Sequence, residues 1–129
     1  MIEAQRFFKD RRKYPRFELN LDAKYKILDY EQVFQFTRTR NISAEGVCFE
    51  SREILKSGIY VQLEVDLKDA NPPVSMVAEI RWITEAKADA KDKKYINGVK
   101  IISMPGADEA RFLKYYCNVM IEKLSAYLK

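Results

Sequence analysis

The sequence predicts a mainly β fold, a small antiparallel barrel or sandwich followed by one helix. Apolar and polar residues alternate in six short segments between residues 17 and 103, and turn-forming residues separate these segments. After residue 105 the apolar spacing lengthens to three or four residues, as in an amphipathic α-helix. The 129 residues suffice for one domain with an ordinary core. We therefore divide the chain into an N-terminal arm (1–16), a β domain (17–105) and a C-terminal helix (106–129).

The first predicted strand is long and half-buried, with one face in the core and one in water. In the second strand Phe34 and Phe36 share one face, and Thr39 lies on the other. In the fifth strand Trp82 is expected on the same side as Met76 and Ile80. The six predicted strands are residues 17–27, 33–40, 47–51, 59–67, 74–84 and 95–103, the last interrupted at Asn97-Gly98.

The connections contain the residues that turns require. Residues 41–46 form a turn in which Asn and Ser side chains bond their own backbone and Gly46 tolerates a positive φ. Residues 54–58 form a turn or a short helical piece, and the charged segment 86–94 forms a loop.

The C-terminal helix is predicted to be amphipathic and to cover the sheet, with pairing to a partner as the alternative. Asp108 and Glu109 lie near its start, where the helix dipole favours negative charge. The expected apolar stripe consists of Leu113, Tyr116, Cys117, Met120, Ile121, Leu124, Tyr127 and Leu128.

Composition excludes several classes of protein. No apolar run reaches the roughly 20 residues of a membrane span, and no signal-peptide pattern opens the chain, so we expect a cytoplasmic protein. In that compartment Cys48 and Cys117 are expected to be reduced, buried thiols. Histidine is absent and no phosphate-loop or nucleophile-elbow motif occurs, so we expect no enzyme and no metal site.

The positive charge of the chain is concentrated in the arm. Its 16 residues hold six Lys/Arg and two acidic residues, a net +4, and the other 113 residues hold 17 of each sign. Within the arm, Pro15 keeps Tyr14 out of the α region. Arg12 and Arg16 are therefore expected roughly 13 Å apart on extended chain, where two guanidinium forks can reach different parts of one anionic ligand.

Two motifs follow one another here: Arg12-Lys-Tyr-Pro-Arg16 before the first strand, and Asn41-Ile-Ser-Ala-Glu-Gly46 between the second and third. Together they resemble the PilZ domain, a bacterial receptor module for cyclic di-GMP, whose pattern is Arg-x-x-x-Arg followed by Asp/Asn-x-Ser-x-x-Gly. Residues 79–82 and 95–99 also resemble later parts of that family. The resemblance covers residues 11–102 and implies a six-stranded antiparallel β-barrel of the split-barrel type, with the C-terminal helix as an addition.

The resemblance also implies a ligand site. Arg12 and Arg16 would clasp phosphate and the Hoogsteen edge of guanine. Asn41 would accept a hydrogen bond on the opposite edge, with one acceptor oxygen where an Asp of the family has two. The further implied contacts are the hydroxyl of Ser43, close backbone approach at Gly46, and Trp82 beside the guanine, with a core-capping indole as the alternative for Trp82.

Arg11 directly precedes the motif, and relatives with arginine there tend to hold two intercalated ligand molecules. We therefore hypothesise an intercalated dimer of cyclic di-GMP, whose four negative charges would match the +4 of the arm. An unidentified downstream protein would receive the signal, through Phe7, Phe8 and the C-terminal helix. Two alternatives stay open: a protein-interaction module with an unused nucleotide pocket, and non-specific nucleic-acid binding through the arm.

Overall fold

The computed structural model describes residues 17–30, 33–86 and 93–128, with side chains to residue 126. The predicted arm, including Phe7, Phe8, Arg11, Arg12 and Arg16, and residues 87–92 of the predicted loop lie outside the described residues. The described strands are β1 (Phe17–Glu18), β2 (Asp22–Ile27), β3 (Gln35–Ile42), β4 (Gly46–Ser51), β5 (Tyr60–Val65), β6 (Val74–Ala86) and β7 (Lys94–Ser103), and the helix is α1 (Gly106–Leu128).

Six strands close into a barrel. Their order is β3-β2-β5-β6-β7-β4, every neighbouring pair is antiparallel, and β4 pairs back onto β3. The predicted six-stranded antiparallel barrel is confirmed, with β1 as an additional short strand paired to β3. Side chains fill the interior of so small a barrel, so a ligand has to bind to its outer surface.

The first predicted strand is interrupted between β1 and β2, and Thr39 holds the break together. Its hydroxyl accepts from the Leu21 amide at 2.9 Å and donates to the Leu19 carbonyl at 2.6 Å. The Thr39 amide also donates to the Leu21 carbonyl at 2.9 Å. Thr39 is fully buried, so these bonds satisfy backbone groups that would otherwise be costly to bury. The predicted alternation persists across the break, since Phe17, Leu21 and Tyr25 all point into the protein.

Apolar side chains from every barrel strand form the core. Fully burying each large side chain contributes about 1.5–3 kcal/mol before entropy costs. The Tyr25 and Phe49 rings pack 5.0 Å apart between centroids, and the Tyr25 hydroxyl reaches out to donate to Glu53 at 2.9 Å. The largest fully buried apolar side chains are Tyr25, Phe49, Phe112, Ile42, Leu63, Met76, Ile80, Val61, Val65 and Val74.

Helix α1 covers the barrel with a stripe that matches the predicted one only in part, at Tyr116 and Met120. Phe112, Tyr116 and Val119 are buried, whereas Leu113 is 37% exposed and Ile121 is 58% exposed. The helix carries two apolar stripes at helical spacing, and the stripe that starts at Phe112 faces the barrel.

Polar contacts fix where α1 starts. Asp108 accepts from the Ser75 amide at 3.0 Å, and Arg111 forms an ion pair with Asp69 at 2.9 Å. Partial burial raises the pKa of Asp69, but hydrogen bonds from Arg111 and Asn71 outweigh this effect and hold it below its ordinary value.

Two predictions about side-chain environment and one about a connection between strands need correction or refinement. In β3 the threonine face is the buried one, so Phe36 is 91% exposed. Cys48 is buried as predicted, but Cys117 is exposed because it lies on the outer stripe of α1; neither cysteine forms a disulfide. Residues 54–58 form a turn without a helix, in which Gly58 has a φ of +93°.

The predicted interruption of the last strand is wrong. β7 pairs with β4 and β6 through Asn97 and Gly98 without a gap. Asn97 is fully buried, and its amide nitrogen donates to the Ser51 hydroxyl at 2.9 Å and to the Phe49 carbonyl at 3.4 Å. Its amide oxygen has no partner among the described residues. A buried asparagine bonded inside the barrel therefore stands where the sequence indicated a turn.

Candidate functional site

The β3–β4 hairpin carries the Asn-x-Ser-x-x-Gly sequence, and Ser43 closes its turn. The Ser43 amide donates to the Gly46 carbonyl at 2.8 Å. In return, the Gly46 amide donates to the Ser43 hydroxyl oxygen at 3.1 Å, where a regular hairpin would use a backbone carbonyl. Ser43 is only 4% exposed. Its hydroxyl is thus a structural part of the turn.

Gly46 is required by close packing and not by its backbone angle. Its φ is not positive, which corrects the expectation from the sequence; among the described glycines a positive φ occurs at Gly58. A Cβ at Gly46 would lie 2.8 Å from the Val99 carbonyl oxygen of the neighbouring strand β7. A side chain at this position would push β4 away from β7, so glycine keeps the base of the hairpin seated on the barrel.

A row of paired residues crosses the outer face of the barrel from Asn41 to Trp82. Asn41 on β3 pairs with Cys48 on β4. Cys48 pairs with Gly98 on β7, which in turn pairs with Trp82 on β6. The row lies on the side of the sheet away from the core, because the residues beside it, such as Phe49, belong to the core; within the row Cys48 is only 3% exposed. Three strand spacings of about 4.8 Å put Asn41 and Trp82 about 14 Å apart along the surface.

Trp82 lies flat against Gly98 at the far end of this row. A Cβ at Gly98 would lie 2.1–2.6 Å from atoms of the indole ring, so the ring occupies the space above the glycine. The pairing register shifts between Ile80 and Trp82, which places a bulge at Arg81. Trp82 therefore leaves the side that Met76 and Ile80 occupy and is 37% exposed, contrary to the prediction that it shares their face.

The first described strand, β1, lies beside Asn41. Phe17 pairs with Ile42, and Glu18 pairs with Asn41. The Phe17 ring also packs against Tyr116 of α1 at 5.6 Å between centroids. The structure thus places the strand that follows the Arg-x-x-x-Arg segment next to the Asn-x-Ser-x-x-Gly hairpin. The three arginines themselves, Arg11, Arg12 and Arg16, lie outside the described residues.

The structure also reveals a cation beside Asn41 that the sequence analysis missed. The β3–β4 register shifts between Thr39 and Asn41, so Arg40 is the extra residue of a bulge. Its guanidinium forms an ion pair with Glu50 on the outer face of β4, at 2.8 Å. Strict alternation puts Arg40 and Asn41 on opposite faces, so the only available sequence signal was a basic residue directly before the motif.

Two clefts in the described part of the protein lie near the hairpin strands but outside the row. One has a volume of about 530 Å³ and is lined by Phe36, Arg38 and Arg52 at the opposite end of β3. The other, of about 190 Å³, lies between Glu45 at the hairpin tip and Leu113 of α1. The predicted site residues Asn41, Ser43, Gly46 and Trp82 line neither of them. Neither of these two clefts therefore contains the predicted site.

The described residues show neither a metal-binding cluster nor a membrane-spanning helix. They contain no group of three or more histidine, cysteine or acidic side chains placed to hold a metal ion. None of their helices combines the length and the apolar character needed to cross a membrane.

Comparison with known proteins places these features in a family. The chain matches the model of the PilZ domain over residues 10–117. No curated protein matches the chain by sequence.

Several solved structures are similar. The motility inhibitor MotI/DgrA of Bacillus subtilis has 22% identity and a TM-score of 0.68, over 88% of this chain and 53% of that one. The PilZ domain of YcgR from Escherichia coli, with c-di-GMP, has 17% identity and a TM-score of 0.66, over 93% and 99%. The MrkH–c-di-GMP complex of K. pneumonia has 14% identity and a TM-score of 0.68, over 91% and 56%. The chain thus spans about half of the MotI and MrkH chains, and at these identities the similarity concerns the fold.

Proposed function

This chain belongs to the PilZ domain family, and on that premise we propose that it is a receptor for cyclic di-GMP. One observation carries the proposal: the strand that follows Arg12-x-x-x-Arg16 is paired beside Asn41, which supports the assignment of both halves of the family motif to one ligand site. Solved structures of similar fold hold c-di-GMP, in YcgR and in MrkH. In this role the protein binds a second messenger and does not turn it over.

We assign the contacts as follows. An extended chain spans at most about 3.6 Å per residue, so Arg16 is tethered directly to Phe17, and Arg12, five residues before Phe17, lies within about 18 Å of Phe17. Their guanidinium groups bind phosphate oxygens and the Hoogsteen edge of guanine. Asn41 accepts from the opposite edge of the base. The remaining assigned residues are Ser43, whose hydroxyl now donates to the Gly46 carbonyl at 3.4 Å and would turn to the ligand, Gly46, which keeps the hairpin seated on β7, and Trp82, whose indole borders the site.

The stoichiometry we propose is two ligand molecules per chain. Arg11 adds a third guanidinium directly before the motif, and the arm carries a net +4 against the four negative charges of two stacked dinucleotides. Charges on a solvent-exposed surface are screened within about 8 Å at physiological salt, so the match acts only at close contact. Calorimetric saturation at two nucleotides per chain is expected, and saturation at one would remove the dimer from the proposal.

The bound ligand bridges the arm and the barrel, and we propose that this joint surface signals to a downstream protein. The exposed stripe of α1 is the candidate contact within the described residues, since Leu113, Cys117 and Ile121 face solvent on it. A pull-down with and without cyclic di-GMP, comparing the parent with Ile121→Ser, tests this part. If Ile121→Ser retains the partner as well as the parent does, the partner contacts a different part of the protein.

The discriminating experiment is calorimetry with cyclic di-GMP and cyclic di-AMP at two salt concentrations. A guanine site distinguishes the two dinucleotides at both salts. Non-specific phosphate binding accepts both ligands and weakens steeply as salt rises. If neither dinucleotide produces a heat of binding, the remaining interpretation is a protein-interaction module with an unused nucleotide surface.

Arg16→Ala is expected to abolish cyclic di-GMP binding and to leave the melting temperature of the free protein nearly unchanged. The expectation follows because the side chain is assigned to the ligand and not to the core. Arg6→Ala is the matched control, as it removes the same charge from the arm outside the motif. Equal losses in the two variants would indicate a general charge effect, and a large drop in melting temperature for Arg16→Ala would make that arginine structural.

A further inference from the structure

The bulge in β3 places a second polar residue on the proposed ligand surface. Thr39 is buried opposite Phe49, and Asn41 lies opposite Cys48, so Arg40 is inserted between two pairs of the ladder. Bulges re-aim the side chain of the inserted residue. The Arg40 guanidinium reaches Glu50, which lies two residues beyond Cys48 on the same outer face. Arg40 and Asn41 thus point to one surface, although they are neighbours in a strand.

The Arg40 backbone is held by a hydrogen bond, whereas its guanidinium forms a partly exposed ion pair. The Leu19 amide donates to the Arg40 carbonyl at 3.0 Å, which ties this residue to the break between β1 and β2. The side chains of Arg40 and Glu50 are 46% and 27% exposed. Ion pairs this exposed contribute little to stability, so opening the pair costs little.

We propose that Arg40 is a further ligand-contacting residue and that Glu50 competes with the ligand for the Arg40 guanidinium. In the ligand-free protein Glu50 neutralises Arg40 beside Asn41. When the dinucleotide binds, the guanidinium turns from the carboxylate to a phosphate oxygen, with which it forms a charge-assisted hydrogen bond. The inference rests on the proposed function, because it assumes that cyclic di-GMP occupies the surface next to Asn41.

The proposal predicts opposite effects for the two partners of one ion pair. Arg40→Ala removes a phosphate contact and should weaken cyclic di-GMP binding about five- to tenfold. Glu50→Gln frees Arg40 and removes a negative charge near an anionic ligand, so it should tighten binding about two- to threefold. In the double variant the gain from Glu50→Gln should shrink, because the arginine that it frees is missing.

A matched pair of controls lies on the same strand. Arg38 forms an ion pair with Asp22 at 3.4 Å and is more exposed than Arg40; it lines the larger cleft, to which Glu50 also contributes, and lies outside the row that begins at Asn41. Arg38→Ala and Asp22→Asn should each change affinity less than about twofold. Melting temperatures of all variants should stay close to that of the parent, which shows that every one of them folds.

The experiment is a calorimetric titration of cyclic di-GMP into the parent, the two single variants, their double variant and the two controls. Equal affinity of the parent and Arg40→Ala, with the parent binding normally, would overturn the role of Arg40 and leave the receptor function intact. A parent that binds no cyclic di-GMP would overturn the receptor function and this inference together. A gain from Glu50→Gln that is undiminished without Arg40 would show that Glu50 acts by repulsion alone, which also contradicts the proposal.

Discussion

Gly98→Ala tests whether the indole of Trp82 is seated on the barrel as the structure places it. The added methyl group would lie 2.1–2.6 Å from three atoms of the indole, far inside van der Waals contact, so the ring must move. Overpacking of this kind costs about 1–3 kcal/mol. Replacing glycine by alanine in a strand returns about 0.5–1 kcal/mol, because Gly98 has no positive φ for alanine to resist. The expected net loss of unfolding free energy is about 1–2 kcal/mol.

Urea unfolding followed by circular dichroism measures this loss, and tryptophan fluorescence reports the cause. Trp82 is the single tryptophan of the chain, so a ring displaced into water should shift the emission of the folded state to the red. Trp82→Ala is the partner variant. On that background Gly98→Ala should be neutral or slightly stabilising, which gives a coupling free energy of about 1–3 kcal/mol. Unchanged emission and unchanged stability in the single variant Gly98→Ala would refute the stacked geometry.

Two further substitutions test polar contacts that stabilise the fold. Thr39→Val leaves a buried backbone amide without its acceptor and should cost about 1–3 kcal/mol in urea unfolding, with little change if the hydroxyl bonds are dispensable. Asp69→Asn should lower the melting temperature at pH 7, and the difference should shrink as the pH is lowered towards 3. The pKa of Asp69 is below its ordinary value, so its ion pair with Arg111 stabilises the protein above that value and loses its effect as the pH falls through the lowered pKa. A difference that is the same at both pH values would contradict the charge-based account.

The barrel could be predicted from the sequence because its strands are half-buried. Alternation of apolar and polar residues survives wherever one face of a strand meets the core and the other meets water. It located all six barrel strands and the inward positions of β1 and β2, including Tyr25. A buried asparagine was harder to recognise. Asn97 resembles a turn residue in isolation, and only its bonds to Ser51 and Phe49 make it a strand residue.

The errors around the site come from bulges and from close contacts between strands. One inserted residue reverses the alternation after it, and the sequence marks neither the insertion at Arg40 nor the one at Arg81. The reason for Gly46 is likewise a contact with a strand more than 50 residues away, which no local pattern contains. In α1 two apolar stripes satisfied helical spacing equally well. Only the position of the barrel selects the one with Phe112.

The contact between the Phe17 and Tyr116 rings joins the first described strand to the C-terminal helix. Phe17 is bonded to the strand beside Asn41, and its ring shares a small cluster with Tyr116 and Val119 of α1. Ala44, at the tip of the hairpin, packs against the same cluster. Residues about a hundred positions apart in the chain therefore pack as one unit. We expect a displacement of β1 or of the hairpin tip to be transmitted to α1 through these contacts.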